Sequence, residues 1–120
     1  MTERLRVGVI GVGHLGRLHA EKYHAHGGVE LAGVYDSDRQ RAAEVAAAQE
    51  CRAPETLDSL LAGVDAVSIA VPTVAHHKIA IEFLGKSIPC LVEKPLAKTI
   101  EEGEDLVRIA REKKTILAVG

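Results

Sequence analysis

The sequence has very few aromatic residues and no marked excess of charge of either sign. Aromatics make up 2% of the 120 residues, namely Tyr23, Tyr35 and Phe83, and the formal net charge is −2. Proteins that read nucleic-acid bases need aromatic stacking surfaces and a basic balance, so this function class is disfavoured. The hydrophobic core must instead be built from valine, isoleucine, leucine and alanine.

Long apolar runs and closely spaced cysteines are also absent. No stretch reaches the ~18 consecutive apolar residues of a membrane span, and the run at 7–13 is too short and too rich in glycine for a secretory signal. Cys51 and Cys90 lie far apart and form no CxxC pair, which favours reduced thiols. We therefore expect a cytoplasmic protein in which residues 1–120 form one small globular domain.

Short runs rich in β-branched residues alternate with segments that have apolar residues at helical spacing, such as Leu15, Leu18 and Tyr23. Strands buried on both faces scarcely alternate between polar and apolar residues, and these runs do not. The pattern predicts a doubly wound parallel α/β sheet in a three-layer α/β/α domain. The predicted strands cover residues 5–10, 29–35, 65–71, 88–92 and 115–119, with a further, poorly marked strand around Cys51.

Several residues predict where helices begin and end. Ser37-x-x-Gln40 and Thr99-x-x-Glu102 both fit the capping box, in which a hydroxyl and a later side chain satisfy backbone N–H groups at a helix start. Thr56 is a candidate cap for a short helix. Gly85 is expected to end the fourth helix in a left-handed conformation.

A glycine-rich motif stands between the first predicted strand and the first predicted helix. It runs Gly11-Val12-Gly13-His14-Leu15-Gly16 and so spells GxGxxG. In this position the glycines allow a tight turn, close approach of the main chain to a pyrophosphate, and close helix–strand packing, while the helix N-terminus attracts phosphate. Asp36 ends the second strand, 20 residues after Gly16, where a carboxylate accepts hydrogen bonds from ribose hydroxyls; Ser37 follows it. The pair of signals predicts a dinucleotide-binding Rossmann fold.

Other interpretations of these residues stay open at this stage. The glycines also suit an ordinary turn, and Asp36 also suits a helix N-terminal carboxylate. FAD and S-adenosylmethionine sites use a glycine loop with an acid as well. The Asp36 carboxylate would repel a 2′-phosphate, which favours NAD over NADP, although Arg39 and Arg41 are near enough to leave NADP use open.

Two further motifs follow later strands. Val71-Pro72-Thr73-Val74-Ala75-His76-His77 comes after one, and Glu93-Lys94-Pro95-Leu96 comes after the next. The carboxyl ends of strands in a doubly wound sheet border the ligand crevice, so both motifs should lie there. No metal site is expected, because the spacings of 5, 5 and 2 between His14, His19, His24 and His26 do not place three imidazoles on one helix face.

Taken together, these residues resemble the N-terminal domain of the glucose-fructose oxidoreductase / inositol 2-dehydrogenase (Gfo/Idh/MocA) family. The matching elements are Gly11-x-Gly13-x-x-Gly16-x-x-His19, Asp36, Pro72-Thr73-x-x-His76 and Glu93-Lys94-Pro95, in the family's order. Thr73 is a departure, since many members have asparagine there. Family members oxidise or reduce a hydroxyl of a sugar, cyclitol or nucleotide sugar with a nicotinamide cofactor. The resemblance therefore implies an NAD-dependent dehydrogenase.

The resemblance also implies roles for individual residues. Lys94 would be the catalytic residue, as a proton relay or as a cation that polarises the reacting oxygen, with burial lowering its pKa. Glu93 would help hold the nicotinamide ribose, and the Lys94–Pro95 bond is expected to be cis. The expected cofactor-binding set is Gly11, Val12, Gly13, His14, Leu15, Gly16, Asp36, Ser37, Val71, Pro72, Thr73, His76, Glu93 and Lys94. His19 would support these residues without contacting the cofactor, and His77 would face solvent.

Family members continue into a second, largely β-sheet domain that carries most of the substrate pocket and the main homo-oligomer interface. By resemblance that domain is absent from this chain, so we expect residues 1–120 to bind nicotinamide dinucleotide without efficient turnover. No nucleic-acid or membrane partner is expected. The alternative is a stand-alone module that senses NAD(H) and regulates a partner without catalysis. Glu93-Lys94-Pro95 argues against a FAD or S-adenosylmethionine site, where that lysine has no evident use.

Overall fold

A parallel sheet of five strands runs through the middle of the protein. The computed structural model describes residues 4–120. The strands are β1 (Leu5–Ile10), β2 (Val29–Tyr35), β3 (Ala66–Ile69), β4 (Cys90–Val92) and β5 (Leu117–Val119). They lie side by side in the order β2-β1-β3-β4-β5. The doubly wound parallel sheet is confirmed, with the first two strands at their predicted bounds and the last three shorter than predicted.

Within residues 4–120, five helices pack against the sheet. They are α1 (His14–Ala25), α2 (Arg39–Ala48), α3 (Leu57–Leu61), α4 (His76–Leu84) and α5 (Ile100–Glu112), and a single 3₁₀ turn at Thr73–Ala75 precedes α4. Successive side chains of β1 enter different layers: Val9 packs with the cluster that holds Ala20 of α1, whereas Ile10 packs with the cluster that holds Phe83 of α4. Alternation along the strand therefore gives two cores, one on each face of the sheet.

The order of the strands creates a switch point between β1 and β3. The chain moves outward from β1 to β2, and then returns across the sheet to place β3 on the other side of β1. The connections that leave the carboxyl ends of β1 and β3 therefore diverge to opposite faces. A crevice opens between diverging connections of this kind, and it is where open α/β sheets bind their ligands.

The predicted strand around Cys51 is wrong. The segment makes only one β-bridge, between Arg52 and Gly33 of β2. Two residues prevent further strand pairing along this segment. Pro54 has no N–H to donate, and the Arg39 guanidinium donates to the carbonyl oxygens of Pro54 at 2.8 Å and Ala53 at 3.3 Å. The bridge still lies beside β2, where the classical fold has its outermost strand on this side.

The predicted helix starts are correct in two of three cases. Thr56 caps α3 by accepting from the N–H of Ser59, and Thr99 caps α5 by accepting from the N–H of Glu102. The Glu102 side chain does not complete the predicted capping box, since its Oε1 is buried without a hydrogen-bond partner among residues 4–120. For α2 the predicted cap Ser37 is wrong. Asp38 accepts from the N–H of Arg41 instead, because the chain is still leaving β2 at residue 37.

The end of α4 also differs from the prediction. Gly85 has φ −62° and ψ −20°, which is right-handed helical backbone. The left-handed residue is Ser87, with φ 61°. The left-handed backbone of Ser87 lets the N–H of Ile88 donate to the carbonyl oxygen of Phe83 at 2.9 Å. The left-handed residue after the helix is therefore Ser87, two residues later than predicted.

The two cysteines are free thiols inside the fold. Burial raises the pKa of Cys51 to about 11 and that of Cys90 to about 12, so both thiols are neutral at physiological pH. A hydrogen bond links the surfaces of α4 and α5: His77 Nε2 lies 2.7 Å from Asp105 Oδ2, and hydrogen bonds from His77 and Arg108 lower the pKa of Asp105. The His77 side chain is therefore half-buried in this contact, and the expectation that it faces solvent is wrong. No helix within the described part of the chain has the length and apolar character needed to cross a bilayer.

A substitution of Phe83 tests how much the core between the sheet and α4 contributes to the stability of the fold. Its side chain is fully buried, so Phe83→Ala should lower the free energy of unfolding by about 3–5 kcal/mol. The matched control is Val74→Ala at a side chain that is 67% exposed, which should change it by less than about 0.5 kcal/mol. Urea unfolding followed by circular dichroism measures both, and equal effects would contradict the assignment of the core.

Candidate dinucleotide-binding site

A cleft of about 720 Å³ opens at the carboxyl ends of β1, β2 and β3. This is the switch point of the sheet, and the volume is within the usual range for a small-molecule site. Its walls come from the glycine loop, the end of β2, the segment after β3 and the first turns of α4. The lining residues are Ile10, Gly11, Gly13, His14, Leu15, Tyr35, Asp36, Ser37, Arg41, Leu57, Ala70, Val71, Pro72, Ala75, Lys78 and Ile79.

Two glycines of the loop are required by close contacts. Gly11 has φ +88°, and a Cβ there would lie 2.7 Å from the carbonyl oxygen of Ala70. A Cβ on Gly16 would lie 1.6 Å from the carbonyl oxygen of Gly11. The absence of side chains at both positions allows α1 to begin directly over the end of β1 and brings β3 against the loop.

Gly13 has a different role, because it faces open space. A Cβ added there would meet nothing closer than the Arg41 Nη1 atom, at 3.8 Å. The helix that begins at His14 has no side-chain cap and no acidic residue in its first turn. Its first N–H groups and the positive end of its dipole are therefore left for an anion. The packing does not need a glycine at 13, so the open space fits close approach by a ligand such as a pyrophosphate.

Asp36 lies at the end of β2 and is 8% exposed. Its Oδ2 accepts the N–H of Val12 at 2.9 Å, and its Oδ1 accepts the N–H of Asp38 at 2.8 Å. The carboxylate thus fastens the glycine loop to β2 and keeps lone pairs for a hydroxyl at the cleft. Asp38 caps α2, and Asp36 lies two residues before that cap, where it accepts the cap residue's own N–H as well as the N–H of the glycine loop.

Two arginines near Asp36 behave differently. Arg39 is turned away from the cleft by its hydrogen bonds to the carbonyl oxygens of Ala53 and Pro54. Arg41 lines the cleft, and its Nη1 lies 3.6 Å from Asp36 Oδ2. Its side chain is 44% exposed, so this ion pair is weak. Of these two arginines, Arg41 is therefore the one available to a phosphate at the edge of the cleft.

His76 connects the segments that follow β3 and β4. The residue is 1% exposed, and its Nε2 lies 2.9 Å from the carbonyl oxygen of Val71. Its Nδ1 lies 3.0 Å from the carbonyl oxygen of Pro95 and 3.2 Å from that of Leu96. The imidazole does not line the cleft. It acts on the site by fixing the backbone on either side of it.

The Glu93-Lys94-Pro95 segment leaves β4 at the same edge of the sheet. The N–H of Glu93 donates to the carbonyl oxygen of Ile69 at 3.1 Å, and the Lys94–Pro95 bond is cis as predicted. The Glu93 side chain is mostly buried against His19 of α1, with Nε2 and Oε1 2.8 Å apart. The Lys94 side chain is exposed, so residues 4–120 do not provide the burial expected for it.

The predicted site residues therefore fall into two groups. Eight line the cleft: Gly11, Gly13, His14, Leu15, Asp36, Ser37, Val71 and Pro72. The other six support it or lie beside it: Val12, Gly16, Thr73, His76, Glu93 and Lys94. The sequence interpretation missed lining residues on α3 and α4, among them Leu57, Lys78 and Ile79. Their only signal was helical spacing, which does not distinguish a cleft wall from a core contact.

Residues 4–120 contain no group of three histidine, cysteine or acidic side chains that could hold a metal ion. The fold provides open space beside Gly13 at a helix N-terminus that has no side-chain cap, and a carboxylate at the end of the next strand. These features define a dinucleotide-binding Rossmann domain. The family model described as "Oxidoreductase family, NAD-binding Rossmann fold" matches residues 5–120. The chain belongs to this family, Gfo/Idh/MocA, as its motifs predicted.

Curated relatives agree with that assignment. The chain is 50% identical over 116 residues to UDP-N-acetylglucosamine 3-dehydrogenase of Acidithiobacillus ferrooxidans, covering 97% of this chain and 36% of that protein. It is 38% identical over 113 residues to an inositol 2-dehydrogenase of Pseudarthrobacter chlorophenolicus, covering 89% and 33%. The chain thus spans about a third of the length of these relatives.

Solved structures show the same fold. UDP-N-acetylglucosamine 3-dehydrogenase GnnA from Acidithiobacillus ferrooxidans superposes with a TM-score of 0.94 at 49% identity, covering 99% of this chain and 39% of that one. GenD2 from gentamicin A biosynthesis, solved in complex with NAD, also gives 0.94, at 36% identity over 100% and 35%. The second of these is a relative whose structure contains the dinucleotide.

The different environments of Gly13 and Gly16 give a direct test of the cleft. Gly13→Ala should fold with nearly unchanged stability, since its Cβ has room, but should weaken NADH binding at least tenfold by occupying the approach to the loop. Gly16→Ala should lower the free energy of unfolding by about 3 kcal/mol or more, because its Cβ overlaps the Gly11 carbonyl. Urea unfolding and NADH fluorescence titration measure the two effects. Unchanged NADH affinity in Gly13→Ala would contradict the site.

Proposed function

We propose that this chain is the NAD-binding part of a dehydrogenase that transfers hydride between nicotinamide and a hydroxyl or carbonyl of a sugar, cyclitol or nucleotide sugar. The observation that carries the proposal is the cleft at the switch point, where a bare helix N-terminus, the space at Gly13 and the Asp36 carboxylate face one ligand. The substrate class comes from the relatives, which are named as dehydrogenases of a UDP-sugar and of inositol.

The lining residues suit each portion of a dinucleotide. The N–H groups at the start of α1 would bind the pyrophosphate, and Asp36 would accept from the adenosine ribose hydroxyls. Leu57 and Ile79 offer apolar surface for the adenine. Val71 and Pro72 continue the cleft toward the end of β4, which would place the nicotinamide beside Glu93 and Lys94.

Lys94 is the group we assign to proton handling. A bound NAD would supply the hydride acceptor. Lys94 would take the hydroxyl proton on its neutral amine and relay it to solvent, or as a cation would stabilise the oxygen that loses that proton. Its backbone is held from both sides, because its N–H donates to the Gly120 carbonyl oxygen at 3.0 Å and His76 holds the carbonyl oxygens of Pro95 and Leu96. The lysine therefore extends from a fixed backbone position.

The charges at the ribose end favour NAD over NADP. Asp36 is the anion nearest that end of the cleft, and its carboxylate would repel a 2′-phosphate. Arg39 is held by carbonyl oxygens and is not available to balance it. Arg41 is available, but it lies 3.6 Å from the same carboxylate and offsets only part of its charge.

Asp36→Ala should weaken NAD binding and raise the affinity for NADP relative to NAD. It also removes the contacts to Val12 and Asp38, so both affinities fall in absolute terms, and their ratio is the informative quantity. Calorimetric titration of the chain with NAD and NADP measures it. Adding Arg41→Ala should cancel the gain for NADP, because that guanidinium lies 3.6 Å from the Asp36 carboxylate and is the cleft-lining cation paired with it. An unchanged ratio in Asp36→Ala would remove the proposed role of Asp36.

Lys94→Ala should reduce kcat of the full-length protein at least a hundredfold while NADH affinity changes by less than about threefold, since general acid–base groups contribute roughly 10²–10⁴-fold. Lys98→Ala, at another exposed lysine just beyond the motif, is the control and should leave kcat unchanged. Steady-state rates with candidate sugar, inositol and nucleotide-sugar substrates measure both. Retained kcat in Lys94→Ala would remove it from catalysis, and NADH binding without any turnover by the unmodified protein would favour a sensing module.

A further inference from the structure

Helix α1 places two polar side chains against the sheet, one turn apart. His19 Nε2 lies 2.8 Å from Glu93 Oε1, and the exposed fraction of each side chain is 19%. Tyr23 shares a hydrogen bond with the fully buried hydroxyl of Ser68 on β3. The rings of His19 and Tyr23 pack edge to face, with centroids 6.4 Å apart. Neither His19 nor Tyr23 lines the cleft, so the cleft geometry does not explain this arrangement.

Glu93 is the sole polar partner of the His19 ring within residues 4–120. The other ring nitrogen, Nδ1, is buried and has no hydrogen-bond partner in this part of the chain. An N–H buried without an acceptor is costly, so the ring proton belongs on Nε2, the atom that faces the carboxylate. The buried position of His19 is therefore compensated only through Glu93.

Glu93 is constrained on two sides as a result. Its backbone N–H is bonded to the Ile69 carbonyl oxygen at the end of β3, and its Oε1 is held by α1. Its second carboxylate oxygen, Oε2, has no hydrogen bond or ion pair among residues 4–120. A glutamate has many rotamers to lose on binding, and a neighbour that has already fixed its rotamer reduces that loss.

We propose that His19 is a positioning residue that holds the Glu93 carboxylate so that Oε2 accepts hydrogen bonds from the hydroxyls of the nicotinamide ribose. The inference rests on the proposed dinucleotide site and deepens it, because it assigns the nicotinamide end to a residue of α1 whose first turn would bind the pyrophosphate. Helix α1 then acts at two points of one ligand. His19 does so through Glu93, without touching the ligand.

The test compares two ligands that differ by the ribose in question. ADP contains the adenosine and the pyrophosphate, and ADP-ribose adds the second ribose. Calorimetric titration of the 120-residue chain should show tighter binding of ADP-ribose than of ADP. His19→Asn, whose amide is too short to reach Glu93, should lose about fivefold in ADP-ribose affinity, as expected for one hydrogen bond, with ADP affinity unchanged within twofold. His19→Gln places an N–H near the position of Nε2 and should retain both affinities.

Two further variants complete the design. Glu93→Gln should also lose the advantage of ADP-ribose, and adding His19→Asn to it should cost no more, because both changes remove one linked contact. The matched control is His24→Asn, on the same helix, where the imidazole is 42% exposed and lies 3.7 Å from Glu50. This control should change neither affinity.

The possible failures are distinguishable. Equal losses for ADP and ADP-ribose in His19→Asn would indicate a purely structural histidine and overturn the inference, as would unchanged affinities in that variant. An unmodified chain that binds ADP and ADP-ribose equally would overturn the ribose contact of Glu93 while leaving the adenosine and pyrophosphate sites in place. An unmodified chain that binds neither ligand nor NAD would overturn the proposed function itself.

Discussion

The contact between Gly16 and the Gly11 carbonyl oxygen is the constraint on which the rest of the structure depends. It sets α1 so close to the end of β1 that a single methyl group would lie 1.6 Å from a backbone oxygen. Because a helix is rigid over three turns, fixing its start also fixes what its later turns contact. The bare N-terminus then faces the cleft, and His19 and Tyr23 meet the sheet at Glu93 and Ser68.

The borders of the cleft are held together by three polar side chains, each of which links segments distant in sequence. Asp36 joins the end of β2 to the glycine loop. His76 joins the segment after β3 to the segment after β4. His19 joins α1 to the start of that second segment. Buried polar groups need partners, so each of these contacts makes the loops less free to separate. The cleft therefore has fixed borders although many of its lining residues lie in connections between strands and helices.

Signals carried by neighbouring residues predicted most of the fold and half of the site. The glycine spacing and the position of Asp36 are local, as are the apolar runs of the strands. The contacts of His76 with Pro95 and of His19 with Glu93 are set by topology across 19 and more residues, and no local pattern contains them. The wrong strand around Cys51 has a cause of the same kind, because the Arg39 side chain binds the carbonyl oxygens of Pro54 and Ala53 from 15 and 14 residues away.

The site divides physically into an enclosed portion and an exposed one. The portion proposed for adenosine and pyrophosphate is the cleft, where buried Asp36 and the backbone of the glycine loop are already in place. At the end proposed for nicotinamide, Glu93 is mostly buried and Lys94 is exposed. Most of the binding energy should therefore come from the enclosed portion. An acid–base group acts best where water is excluded, so the catalytic role proposed for exposed Lys94 depends on burial that residues 4–120 do not themselves provide.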